Sequence, residues 1–222
     1  MERQRFGIPL LATLLGAGYG VMTLQAGPPA AAPQGASQEG FDRTIDRHSR
    51  TMLAEGRKIF RYDTFGSEAF WGDKVRLHEA ILGQTLGGVG AGVSPKLALQ
   101  LGLKVDATAL PKPVVAGIKG GTISLDKPET TVELLKLNAV VGVTGIFDKD
   151  KSKMRSIGIQ CALCHSTVDD SFSPGIGRRL DGWPNRDLDV GAIVATAPSV
   201  KPFEDLLGVD RTLALRQANG RG

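Results

Sequence analysis

The sequence predicts a mainly α-helical domain with one β-hairpin, and three observations support this fold class. Apolar residues recur at helical spacing in several segments between residues 41 and 141. A single stretch, residues 140–160, instead places β-branched residues on both sides of a polar turn. A C-x-x-C-H motif follows this stretch directly, and its spacing suits a helical turn.

The C-x-x-C-H motif is the most specific signal in the chain, because this sequence attaches c-type haem. Its residues are Cys161-Ala162-Leu163-Cys164-His165. The two thiols add to the haem vinyl groups and the histidine ligates the iron, so the motif predicts one haem c per chain. Residues three and four apart share a helix face, which would place Cys161, Cys164 and His165 on one side. The predicted fold is therefore a cytochrome c-like haem domain, with a helical insertion and the hairpin before the motif.

Other uses of the two thiols remain open. Cys161 and Cys164 are the only cysteines in the chain, whereas structural zinc sites usually take four ligands. A redox pair of the thioredoxin type is a second alternative, but the flanking sequence lacks the strand and helix of a βαβ unit. A non-haem redox or metal-binding module would leave both thiols unmodified.

The N-terminal segment predicts export, which covalent haem attachment requires in bacteria. Residues 1–5 are basic, and residues 6–38 carry no charge. We expect residues 1–26 to be a signal peptide or an uncleaved membrane anchor, and residues 27–40 to be a flexible linker. Residues 41–222 would form the cytochrome c-like domain. Either N-terminal role places this domain in the periplasm or outside the cell, free or anchored to the inner membrane.

The charge pattern argues against nucleic acid as a partner. The formal net charge is only +4, and no run of Lys and Arg is interleaved with aromatic residues. The expected partners are redox proteins that exchange electrons with the haem.

Two helices are predicted in the first part of the domain. One spans residues 41–62, and its apolar stripe consists of Ile45, His48, Met52 and Ile59. The other is capped by Ser67 and ended by Gly83. Its inward stripe consists of Trp71, Val75, His78 and Leu82.

Two further helices and the hairpin complete the prediction. Ser94 followed by Pro95 is a cap and a first helical residue, which opens a short helix to about Leu101. A helix over residues 126–141 would end at Gly142. The hairpin over residues 140–160 turns at a polar segment, Asp148-Lys149-Asp150-Lys151-Ser152.

The residues after the motif supply candidates for contacts with the haem. The haem propionates need cationic partners, and Arg178, Arg179 and Arg186 can provide them. Pro174 or Pro184 can offer a carbonyl to the free ring nitrogen of the proximal histidine. Glycines in both segments, 173–177 and 182–185, would let the backbone approach a flat cofactor.

No Met or His follows His165, so the second iron ligand must come from upstream of the motif or from another molecule, or be absent. The candidates are His48, Met52, His78 and Met154. We favour His78, since it shares an apolar helix face with Trp71 and imidazole ligates iron well. Replacing His78 with Ala should then convert a low-spin spectrum to a high-spin one. An open site without a second ligand remains the alternative.

Several segments resemble a group of bacterial exported c-type cytochromes, distantly similar to di-haem cytochrome c peroxidases. Those segments are Gly56 to Gly66, Phe70 to Asp73, Leu77 to Ile81, Gly158 to Asp170, Gly175 to Gly182 and Asn185 to Leu188. Members of that group are longer and carry a second C-x-x-C-H, whereas this chain has one. The resemblance therefore implies a shortened relative or a truncated product.

The expected function is one-electron transfer by a single haem c outside the cytoplasmic membrane. The protein would tune the iron through its ligands, burial and hydrogen bonds. The resemblance supplies an alternative, a peroxidase-like haem oxidoreductase with an open distal position. An electron carrier is favoured over that enzyme.

Overall fold

The computed structural model describes residues 36–218 of the chain, and a division between Arg47 and His48 separates two units. The expected signal peptide or anchor, residues 1–26, lies outside the described residues. Helix α1 begins at Ala36, so it includes residues 36–40 of the segment predicted as linker. Among the described residues, no helix combines the length and apolar character that a membrane span requires.

The prediction of a mainly α-helical chain is confirmed, and the strands of the chain form small sheets. The helices are α1 (Ala36–Tyr62), α2 (Leu77–Leu82), α3 (Pro95–Gln100), α4 (Lys112–Lys119), α5 (Pro128–Lys136), α6 (Ala162–His165), α7 (Val190–Ala195), α8 (Lys201–Leu207) and α9 (Arg211–Ala218). The strands are β1 (Val105–Asp106), β2 (Val143–Phe147), β3 (Met154–Ile159), β4 (Ser166–Val168), β5 (Ile176–Gly177) and β6 (Arg179–Asp181).

The strands form two-stranded ladders. The predicted hairpin is confirmed as the antiparallel pair β2 and β3, which runs from Val143 opposite Ile159 to Phe147 opposite Met154. Sequence patterns did not reveal the other two ladders, parallel β1 with β5 and antiparallel β4 with β6. These strands are two or three residues long, too short for a period to be recognised.

Helix α1 has the predicted apolar stripe, but that stripe is not buried. The side chain of Met52 is 56% exposed, and Leu53 and Ile59 are also exposed. Met52, which its helical spacing groups with apolar residues, therefore lies outside the core. Helix periodicity identifies which residues share a face, but not whether another element packs on it.

The helix predicted from Ser67 to Leu82 is interrupted. A π-helical turn, Ala69–Lys74, comes first, and Arg76 then adopts a left-handed conformation with φ of 59° before α2 begins. Ser67 is not a cap, because its hydroxyl donates to the Ile159 carbonyl at 2.9 Å and accepts from the Ile159 amide at 2.8 Å. These hydrogen bonds to β3 thus occupy the Ser67 hydroxyl, which would otherwise cap a regular helix.

The short helix α3 confirms its prediction, since Ser94 caps it through the Leu97 amide at 3.2 Å and Pro95 is its first residue. Helix α5 is shorter than predicted. It ends at Lys136, and Asn138 turns the chain with φ of 52°. The next residues pair with the segment around β1, where the Asp106 amide donates to the Ala139 carbonyl at 2.8 Å. Long-range pairing therefore ends the helix before the predicted Gly142.

The core of the second unit lies around the hairpin and α6. Its buried side chains include Val75, Leu77, Leu82, Val132, Leu135, Met154, Ile157 and Leu163. A second cluster joins β1, β5 and α5, and it includes Val105, Leu110, Leu134, Ala139 and Ile176. The first cluster contains a residue of the C-x-x-C-H motif, so the core directly supports that motif.

Candidate functional site

The C-x-x-C-H motif forms a helical turn with an inner and an outer face. Cys161 has helical dihedrals, φ −53° and ψ −31°, and α6 continues from it. Ala162 and Leu163 are buried in the core, whereas Cys161, Cys164 and His165 are exposed. The core thus holds the two spacer residues, and the three chemically active residues share the face that points to solvent, as predicted from their spacing.

Both cysteines are free thiols at the surface. Exposure leaves each sulfur open to a bulky reaction partner without disturbing the core. The pair is therefore suited to covalent attachment of a planar group along the outer face of α6.

The ring of His165 is oriented by its own helix. Its Nδ1 lies 3.3 Å from the carbonyl oxygen of Cys161. A carbonyl oxygen only accepts hydrogen bonds, so this contact requires the proton on Nδ1 and leaves the Nε2 lone pair free for a metal. The expectation that Pro174 or Pro184 orients this ring is not met, because a carbonyl one helical turn away does so.

A loop between Gly182 and Asn185 anchors the C-terminal end of α6. The Gly182 amide donates to the His165 carbonyl at 2.8 Å, and the Asn185 amide donates to the Cys164 carbonyl at 2.9 Å. The Asn185 side chain reaches the Leu163 carbonyl at 3.4 Å and the Gly102 carbonyl at 2.9 Å. The last carbonyls of a helix have no partners within the helix, so this loop satisfies them and fixes the motif.

The β4 and β6 ladder, which begins directly after His165, carries a charged network centred on Asp181. Arg61 donates to Asp181 Oδ2 at 2.7 Å, and Arg179 and Ser166 donate to Oδ1 at 2.9 and 3.0 Å. The Arg179 side chain is only 3% exposed. Asp181 therefore joins α1 to the residues that follow the motif.

Asp181 is held in its ionised form. Burial by itself raises the pKa of this carboxyl, but hydrogen bonds from Arg61 and Ser166 and the charge of Arg179 outweigh burial, so its pKa is lowered. A lowered folded-state pKa stabilises the fold above the unfolded-state value of about 4, and this contribution is lost as the pH falls through the folded-state value.

Replacing Asp181 with Asn should lower the free energy of unfolding by about 2 kcal/mol at pH 7, because two arginines lose their counter-charge. Urea unfolding of the full chain between pH 7 and pH 3 measures the effect. The gap between wild type and variant should narrow on acidification below about pH 4. A gap that stays constant across this range would contradict the role given to the carboxylate.

The three arginines predicted to bind propionates are placed differently from one another. Arg179 is buried against Asp181, and burial, together with the nearby charge of Arg61, lowers its pKa. Its Nη2 has no hydrogen-bond partner among the described residues. Arg178 and Arg186 are exposed. Arg179 thus belongs to the charged network, and the propionate role remains a prediction for the two exposed arginines.

His78 lies on α2, half-buried, with 14% of its side chain exposed. Its Nε2 is 4.0 Å from Glu79 Oε1, and its buried Nδ1 has no hydrogen-bond partner within residues 36–218. Burial lowers the pKa of His78, and the charge of Arg76 adds to this, so the ring is neutral at pH 7. No hydrogen bond or ion pair among the described residues joins His78 to α6, so its role as iron ligand stays a prediction.

The structure contains a groove beside the motif that the sequence analysis did not predict. Its lining residues come from one side of α1 and from the end of β6, and they are Met52, Leu53, Gly56, Arg57, Phe60, Asp181 and Gly182. The open volume is about 840 Å³, including solvent at its mouth. Helical spacing could place the five α1 residues on one stripe, but the approach of Gly182 to that stripe is a tertiary contact without a local signal.

Searches against protein-family models, curated proteins and solved structures find no match to this chain. Within residues 36–218, no group of three or more His, Cys, Asp or Glu side chains is placed to hold a metal ion. Haem iron does not need such a group, because the porphyrin supplies four nitrogens and the protein supplies only axial ligands. At α6, the imidazole of His165 could serve as one axial ligand, and the two thiols on the same face could bind the porphyrin covalently.

Proposed function

We propose that this chain is a c-type cytochrome in which Cys161 and Cys164 bind one haem and His165 ligates its iron. The observation that carries the proposal is the outer face of α6. It presents two free thiols and an imidazole whose Nε2 is available, and these are the groups that covalent haem attachment uses. The buried spacer residues and the anchored carbonyls keep these groups in place.

Attachment of haem through the two thiols needs no oxidant. Each thiol adds across one vinyl C=C bond, so that a carbon–sulfur bond forms and the thiol proton ends on the neighbouring carbon. Two additions consume both thiols. The tautomer with its proton on Nδ1, which the contact with the Cys161 carbonyl favours, ligates a metal through Nε2 without losing a proton.

The function that follows is one-electron transfer with redox partner proteins outside the cytoplasmic membrane. A bound haem supplies an iron that cycles between the ferric and ferrous states. The protein residues contribute the position of the ligating histidine and the basicity of its Nε2. Donation from His165 Nδ1 to a carbonyl orients the ring and makes Nε2 a stronger donor to the metal.

Expression of the full chain in a host that matures c-type haem tests the proposal. We expect the denatured polypeptide to carry the added mass of one haem, and the reduced protein to show a c-type spectrum. A chain that returns with both thiols unmodified overturns the proposal in favour of a non-haem role.

Carbon monoxide separates the two haem functions. A low-spin haem that ignores carbon monoxide supports an electron carrier with a protein-supplied sixth ligand. A high-spin haem that binds carbon monoxide overturns that role and supports the peroxidase-like oxidoreductase instead.

A further inference from the structure

Trp183 is an exposed aromatic residue in the loop that anchors α6. It is 63% exposed. The ring contacts found within residues 36–218 join Phe70, Trp71 and Phe203, and none of them involves Trp183. A single exposed apolar side chain is ordinary on a protein surface. Trp183 differs from the others in its position, because the loop that carries it is bonded to the C-x-x-C-H motif.

Hydrogen bonds join the loop to the motif on both sides of Trp183. On one side the Gly182 amide donates to the His165 carbonyl at 2.8 Å. On the other side the Asn185 amide donates to the Cys164 carbonyl at 2.9 Å. Consecutive Cα atoms are about 3.8 Å apart, so the Cα of Trp183 lies within about 8 Å of the His165 carbonyl oxygen. The indole can therefore reach a group that is bound to Cys164 and His165.

The backbone of Trp183 has little freedom to move away from α6. Pro184 follows it, and a residue before proline is restricted to extended conformations. Both ends of the loop are held by the hydrogen bonds to the motif, and the Asn185 side chain adds a bond to the Gly102 carbonyl at 2.9 Å. Holding the indole beside the motif thus costs little further conformational entropy.

The chemistry of the loop suits a flat, apolar group with an anionic edge. The indole of Trp183 offers an aromatic surface, which packs favourably against another ring system. Arg186 directly follows Asn185, and its exposed cation can pair with a carboxylate. The outer face of α6 is itself exposed, so a group attached there needs other side chains to shield it from water.

On the basis of the proposed haem attachment, we infer that Trp183 packs against the haem beside His165 and shields that part of the macrocycle from water. Trp183 is then a haem-contact residue and not an iron ligand. Water stabilises the ferric state, which carries the additional positive charge. Shielding by the indole therefore raises the midpoint potential of the iron.

The indole N–H resonances of the full chain test this contact, because the chain has only two tryptophans, Trp71 and Trp183. A porphyrin ring current shifts a proton strongly only at short range. Under carbon monoxide, ferrous haem is low-spin and diamagnetic whether or not the protein supplies a sixth ligand. We expect haem attachment to shift the Trp183 resonance far more than the Trp71 resonance, relative to a haem-free chain in which both Cys161 and Cys164 are replaced with Ser. The Trp71→Phe variant identifies which resonance belongs to Trp183.

The midpoint potential of the haem-loaded chain provides a second readout. Trp183→Ala should lower the potential, because water reaches the haem, and Trp183→Phe should restore most of the loss, because it keeps an aromatic cover. Leu206→Ala is the matched control. It removes a side chain that is 79% exposed on α8, outside the anchoring loop, and should leave the potential unchanged.

The outcomes separate this inference from the proposed function. Covalent haem content should be equal in wild type and in the Trp183 and Leu206 variants, because attachment depends on the cysteines. A chain that carries haem but shows no shift of the Trp183 resonance overturns the inference and leaves attachment intact. Equal potentials in wild type and Trp183→Ala would likewise overturn it. A chain that never acquires haem overturns the proposed function and this inference together.

Discussion

Replacing both Cys161 and Cys164 with Ser should abolish covalent haem attachment while the polypeptide keeps its fold. Each thioether needs a sulfur nucleophile, and a hydroxyl does not add to a vinyl group under the same conditions. Both thiols are exposed and free, so the exchange removes no core contact. Mass spectrometry of the denatured chain measures attachment, and far-UV circular dichroism measures the fold.

The two single variants are the matched controls for this double replacement. Cys161→Ser and Cys164→Ser each keep one thiol, so each should retain one haem through a single thioether. We expect a vinyl group to survive in each, which shifts the absorption of the reduced haem to longer wavelength. Haem that still migrates with the denatured double variant would contradict the assignment of the two thiols.

Replacing Gly142 with Ala should lower the free energy of unfolding by about 4 kcal/mol. Gly142 has φ of +80°, where an L side chain costs about 1–2 kcal/mol. Its missing side chain also matters, because an added Cβ would overlap the Leu163 backbone inside the C-x-x-C-H motif. Either α6 or the turn before β2 must move, so we also expect a fall in the fraction of chains that carry haem.

Gly121→Ala is the matched control, because Gly121 has a similar φ of +73° and no described atom within 4 Å of an added Cβ. This variant should show only the conformational cost, about 1 kcal/mol, and normal haem content. Urea unfolding and haem content of both full-length variants provide the comparison. Equal destabilisation at the two sites would show that close packing of Gly142 on the motif is unimportant.

Local signals predicted the structure correctly where the hydrogen-bond partners of a residue lie close to it in the sequence. Ser94 caps α3 through an amide three residues away, and the polar turn closes the hairpin before the motif. The same kind of signal failed at Ser67, because the Ile159 backbone binds its hydroxyl from 92 residues away. The helix predicted to reach Val141 ends early for the same reason, since residues near β1 pair with that part of the chain.

In the candidate site, too, features with a local sequence signal were predicted and features that depend on long-range contacts were not. The spacing of Cys161, Cys164 and His165 predicts their shared face, and the buried spacers agree with it. The orienting carbonyl comes from the motif itself, although the sequence indicated two prolines farther along the chain. The burial of Arg179 could not be predicted, because only the fold brings Asp181 to it together with Arg61 from α1.

If the chain carries haem as proposed, the loop from Gly182 to Asn185 bears on the speed of electron exchange. It bonds the final carbonyls of α6 and ties them, through Asn185, to the Gly102 carbonyl. A histidine held at both ring and backbone would shift little when an iron bound to it gains or loses a charge. Nuclear reorganisation is then small, because the surrounding dipoles are already fixed in position. Such an iron can pass electrons rapidly even when donor and acceptor differ little in potential.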